Sequence, residues 1–100
     1  MHTPDIPLPS RAELTDMLAR QATIPQRVID WAKDNRAQSE ESHECQKMVQ
    51  SARDMMEELY HTAHDWTDGK LGKKELLEMI PNFERQRSQI NDLWNNTVAR

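Results

Sequence analysis

The sequence predicts an all-α fold: a long antiparallel helical hairpin with two shorter N-terminal helices, assembling as a dimeric helix bundle. Three observations carry this. Cys45, Val49, Ala52, Met56, Leu59, Ala63 and Trp66 are spaced by alternating fours and threes, the repeat that lays one apolar seam along a helix. Leu76, Ile80, Phe83, Arg87, Ile90, Trp94 and Thr97 repeat that spacing. The chain's two glycines, Gly69 and Gly72, fall between the two seams, where one helix must stop and the next begin.

The elements follow in order. Prolines at 4, 7 and 9 keep residues 1–9 extended, an arm in which Ile6 and Leu8 supply apolar contacts; residues 10–100 form a single helical domain. Ser10 with Glu13 makes a capping box, and Leu14, Met17 and Leu18 give the first helix its apolar face. Thr23 with Gln26 repeats that signature, with Pro25 suited to a first turn, so a second helix is predicted through Val28, Ile29, Trp31 and Ala32. Residues 33–44 contain no large apolar side chain. Extending the Cys45 frame backwards reaches Ile24, Val28 and Trp31 but also polar Asn35, Gln38 and Ser42. A break is therefore expected near Asn35 to Ser39. Pro81 lies inside the last seam, where it lacks an amide proton and crowds the carbonyl of Leu77. Because the heptad frame continues across it, a kink is expected and not a loop.

Composition narrows the function classes. Net charge is −4, and each half contributes −2, so a general electrostatic grip on nucleic acid or an anionic membrane is not expected. The single cysteine, Cys45, allows no internal disulfide and suits a reducing, cytoplasmic setting. The N-terminus has neither the cationic stretch nor the apolar core of a signal peptide, and no apolar run is long enough to span a membrane.

Candidate chemistry is sparse. Asp68, Gly69 and Glu75 match the later half of a calcium loop, but His64 and Trp66 would fall where a hard cation needs oxygen ligands. Glu58 and His61 make one Glu-x-x-His unit where a di-metal bundle needs two such units and two further glutamates. His61, His64 and Asp65 read as a solvated face, and Cys45 as a small buried hydrophobe. With two glycines no phosphate-cradling loop can form. The expectation is a non-enzymatic protein with no cofactor and no metal site.

An alternative is a helix-turn-helix DNA-binding regulator using residues 18–36. Leu18, Ala19, Ile24 and Ile29 have its apolar spacing, and Gln26, Arg27 and Lys33 would face DNA. Against it, Thr23 stands where the turn glycine belongs, and Asp30 and Asp34 dilute the charge of the reading face.

The favoured reading is binding to another protein. Met48 and Met55 flank the first seam, and Leu77 and Leu93 flank the second, so the apolar stripes are wider than a two-helix contact needs. These four with Trp94 are the predicted partner-binding residues, adaptable methionines beside an aromatic anchor. A second copy covering part of the stripes is expected to give a homodimer. The Pro-rich opening from His2 to Pro9, the hairpin from Cys45 to Trp94 and the acidic, Met-rich character resemble the small helical bacterial anti-activators of the QslA type. That resemblance implies a quorum-sensing inhibitor that blocks a LuxR-family transcription regulator by occupying its assembly surface.

Overall fold

The computed structural model describes residues 7–99; the predicted arm lies mostly outside the described residues, with Pro7 to Pro9 lacking regular structure. Five helices follow: α1 (Arg11–Gln21), α2 (Thr23–Asp34), α3 (Arg36–Glu41), α4 (His43–Thr67) and α5 (Lys73–Thr97), with no strand among the described residues. The all-α hairpin with two preceding helices is present, together with a short connecting helix.

Local chemistry sets each boundary. Ser10 has extended dihedrals, and its hydroxyl accepts from the Glu13 amide at 3.1 Å. The reciprocal contact runs from the hydroxyl to Glu13 Oε1 at 3.2 Å. This satisfies one of the orphan amides of the first turn. The second predicted cap is not formed. Thr23 already lies inside α2, and Ala22 joins the two helices with helical dihedrals (φ −78°, ψ −16°) and no side-chain cap. Pro25 explains the interruption. Its ring crowds the carbonyl four residues earlier, that of Gln21, where α1 ends. Residues 11–34 thus form one nearly continuous helix, about 36 Å long at ~1.5 Å per residue.

Two breaks separate α2 from α4, so Ile24 to Trp66 is not one helix. Asn35 leaves the helical region (φ −133°, ψ 48°), and its amide donates to the Trp31 carbonyl at 2.9 Å. Ser42 is extended, and its hydroxyl accepts from the Cys45 amide at 3.0 Å, capping α4. At the other end of α4, Gly69 takes φ +76°. Its amide donates to the Trp66 carbonyl at 3.3 Å and that of Lys70 to the Asp65 carbonyl at 2.9 Å, a Schellman stop. Gly72 then starts α5, which continues through Pro81 as one helix.

These elements make a three-layer up-down-up arrangement. Arg11 and Thr15 of α1 lie beside Trp66, at the turn between α4 and α5. At the opposite end Trp31 of α2 meets Trp94 of α5 edge-on, with centroids 5.9 Å apart. The α1–α2 rod therefore runs antiparallel to α4 along the hairpin, and α3 makes the crossing. Principal extents of 59 × 31 × 17 Å and a radius of gyration of 16.3 Å describe an elongated body; about 13 Å is usual for this length.

The core draws Leu14 and Leu18 from α1, Val28 and Ala32 from α2, and Leu76, Ile80, Phe83 and Ile90 from α5. From α4 it takes Met48, Val49, Ala52, Met55, Leu59 and Trp66. Leu76, Ile80, Phe83 and Ile90 lie on the predicted α5 seam. On α4 the stripe is wider than predicted: Val49, Ala52, Leu59 and Trp66 hold, but Met48, Met55 and Thr62 are buried alongside them, whereas Cys45, Met56 and Ala63 are half-buried.

One core group is poorly served. Gln21 is buried, its amide nitrogen donates to the Met17 carbonyl at 3.1 Å, and its Oε1 has no partner. A buried unsatisfied acceptor costs about 1–3 kcal/mol, so Gln21→Leu is expected to raise the melting temperature by several degrees. Thermal unfolding followed by circular dichroism checks this; a lowered melting temperature would show that the amide is worth more than its unpaired oxygen costs.

Candidate protein-docking groove

The five predicted partner-binding residues do not form one surface. Met48 and Met55 are 0% exposed, covered within their own chain, and the reading of them as wet flanks is corrected. α5 shares in this cover, the Thr97 hydroxyl lying 3.6 Å from the Met48 sulfur; α2 packs most extensively on α4 and also meets α5, and α1 lies chiefly on α5. Leu77, Leu93 and Trp94 are half-buried. Leu77 and Leu93 stand sixteen residues apart on α5, so at ~100° per residue they point about 160° apart around it. Trp94 is committed to Trp31.

Residues 18–36 do not form the turn that the helix-turn-helix alternative requires. That motif needs two helices crossing at roughly 90–120° through a turn of three or four residues. Here a single residue in helical conformation, Ala22, separates α1 from α2. Val28, at the start of the supposed reading segment, is fully buried, and the segment is broken at Asn35. Gln26, Arg27 and Lys33 are exposed, but Gln26 is spent on Asp30, its amide donating at 2.9 Å.

Metal-ligand chemistry is likewise not assembled. The Trp66 ring nitrogen donates to the Thr15 hydroxyl at 2.9 Å, so the would-be third position of a calcium loop is a buried donor. His61 pairs with Glu57 at 3.9 Å and His64 with Asp68 at 3.3 Å, both on an exposed face. Among the described residues no three His, Cys, Asp or Glu side chains are grouped to hold one ion. Cys45 is half-buried and not enclosed; with Trp31 and Val98 it lines a hollow of about 430 Å³ at the open end of the bundle.

What remains open is the outer groove between α4 and α5. Lys47, Ser51, Asp54, Glu58 and Thr62 line it from α4, at helical spacings that keep them on one stripe. Its wider part, about 560 Å³, has Ile90 and Leu93 at its base; a narrower part of about 270 Å³ has Phe83 and Met79. Gln86 bridges the helices between these parts, its amide donating to Glu58 Oε2 at 3.0 Å. The rim is acidic: Asp54, Glu58, Glu78 and Asp92 line it with one cationic side chain, Lys47, while Glu57 stands on the neighbouring exposed face of α4 with His61. Among the described residues Asp54, Glu58, Glu78 and Asp92 make no ion pair; Asp54 accepts only a hydrogen bond from Gln50 at 2.9 Å.

Of the predicted set, Leu93 alone lies in this groove. Its other residues escaped the sequence reading because attention followed apolar flanks, whereas the groove is marked by carboxylates one helical step outside them. The pair Asp54 and Glu58 was the available signal. No helix among the described residues is long and apolar enough to cross a membrane. No family model matches the chain, and no curated protein or solved structure matches it.

Proposed function

We propose that this chain is a non-enzymatic, protein-binding regulator of the cytoplasm. It acts as a small inhibitor that covers a surface its partner needs for its own assembly. The observation that carries the reading is the α4–α5 groove, in which half-buried Leu93 and Met79 lie beside carboxylates that the chain itself leaves unpaired. A rigid helical scaffold with an apolar strip inside a polar rim is the general anatomy of a protein interface. Following the resemblance to QslA-type anti-activators, the partner proposed is a LuxR-type bacterial transcription regulator, held away from its active assembly. The homodimer inferred from the sequence loses the motive supplied by Met48 and Met55. Any dimer is proposed to use another face, since a two-fold pairing of grooves would bring like charges together.

Leu93→Glu tests this. The side chain is half-buried, so the variant should stay folded, while complex formation with the partner falls by more than about thirtyfold, the scale of an interface hot spot. Leu77→Glu, on the other side of α5, should bind as wild type. Calorimetry with a LuxR-type regulator from the source cell measures both; unchanged binding by folded Leu93→Glu would remove the groove from the function.

A further inference from the structure

Resting on that reading, we infer that the occupant of the α4–α5 groove is an amphipathic helix of the partner whose apolar stripe is flanked by lysine or arginine.

The charge distribution carries the inference. The groove holds four carboxylates, Asp54, Glu58, Glu78 and Asp92, against one lysine, an excess of three negative charges. The whole chain has a net charge of −4, so most of that net charge lies in this groove. The molecule's net charge is thus concentrated on one face, the one that α1 and α2 leave uncovered. An acidic rim around an apolar floor favours a cationic, apolar ligand and opposes an acidic one, a second copy of this face included.

The shape of the groove selects a helix. Its lining runs from Met79 to Asn96 on α5, about 26 Å at ~1.5 Å per residue, which a helix of about 18 residues would match. Two antiparallel helices leave a furrow that accepts a third by interleaving of side-chain ridges, as α2 already does on the opposite side. Half-buried Leu93 and Met79 offer apolar contacts to such a helix above the buried Ile90 and Phe83, and Asp54, Glu58, Glu78 and Asp92 stand where flanking cations would reach them. A docked helix shields these carboxylates from solvent, which strengthens their attraction to flanking cations and penalises any partner that leaves them unpaired.

The test uses two designed 18-residue helical peptides with the same leucine stripe, one flanked by lysine and one by glutamate. Binding to the full chain is read by fluorescence anisotropy. The lysine peptide should bind and weaken steeply between about 50 and 500 mM salt, and the glutamate peptide should not bind. The variant carrying Asp54→Asn, Glu78→Gln and Asp92→Asn should lose affinity by about tenfold or more. A charge-matched control with Asp30→Asn, Asp34→Asn and Glu84→Gln should lose far less. Equal loss in the two triple variants would mean unspecific attraction and overturn the inference, as would equal binding of the two peptides. If the partner complex depends on Leu93 but ignores both salt and the groove carboxylates, the docking reading stands and the basic-helix inference fails. If Leu93→Glu binds both the lysine peptide and the partner like wild type, both fail.

Discussion

Trp66→Ala is expected to lower the melting temperature by about 15 °C or more, the largest effect of any single substitution proposed for this chain. Truncating a buried tryptophan costs about 3–5 kcal/mol, and in a domain of this size each kcal/mol moves the midpoint by about 4–8 °C. Three contacts converge on this residue. Its ring nitrogen donates to the Thr15 hydroxyl at 2.9 Å, the Arg11 guanidinium stacks 4.0 Å from its ring centroid, and Arg11 also donates to its carbonyl at 3.1 Å. Since Arg11 and Thr15 both belong to α1, Trp66 anchors the start of the N-terminal rod to the turn of the hairpin. Thr15→Val leaves the indole donor unpaired and should cost about 1–3 kcal/mol, while Arg11→Ala should cost about 0.5–2 kcal/mol. Thermal denaturation of the single and paired variants checks this. A coupling energy near zero between Trp66→Ala and Thr15→Val would show that the clasp contributes nothing beyond the area Trp66 buries.

Much of this fold was legible in the sequence because helical spacing and capping are local rules. The α5 seam from Leu76 to Ile90 needed only the 3.6-residue period, and the stop at Gly69 needed only the freedom of glycine at positive φ. Even the breaks before α4 were written into the heptad frame. Where the backward frame met Asn35 and Ser42, the helix ended at each, because those side chains offer the backbone an alternative partner. Gln38, the third polar residue in that frame, has no such short side chain and stays within α3.

The part that escaped depended on tertiary packing. A seam of fours and threes is degenerate when apolar residues lie on both sides of it. On α4, Met48, Met55 and Thr62 are buried as well as Val49, while Met56 and Ala63 of the seam are only half-buried. The buried stripe is broader than the seam because α4 packs against two partners, α2 and α5. Capping signatures are degenerate in a similar way. Thr23 and Gln26 match a capping box, but α1 does not unwind far enough to free the Thr23 position, so the bend at Ala22 comes from Pro25 alone. The groove was hidden for the complementary reason, since it is defined by where α1 and α2 are not.

Met55→Ala separates the two readings of the methionines, and the expected result is a loss of stability with binding retained. Met55 is fully buried in the core to which Ala52 and Leu59 also belong, on a helix that packs against both α2 and α5. Truncation removes three heavy atoms from a close-packed interior and should cost about 2–5 kcal/mol, a fall of about 10 °C or more in the melting midpoint. Met55→Leu conserves volume and should cost less than about 1.5 kcal/mol, which distinguishes a packing role from a need for sulfur. Measured at a temperature where the alanine variant is still folded, affinity for the partner should match wild type, because no atom of Met55 reaches the surface. Leu93→Glu should show the reverse pattern, a small change in melting and a large loss of binding. The contrast is informative because both residues were read from sequence as partner-binding flanks, Met55 of the first seam and Leu93 of the second. If folded Met55→Ala loses the partner while its melting temperature stays near wild type, the side chain must reach the surface in solution, and the helices packed around it must open to expose it.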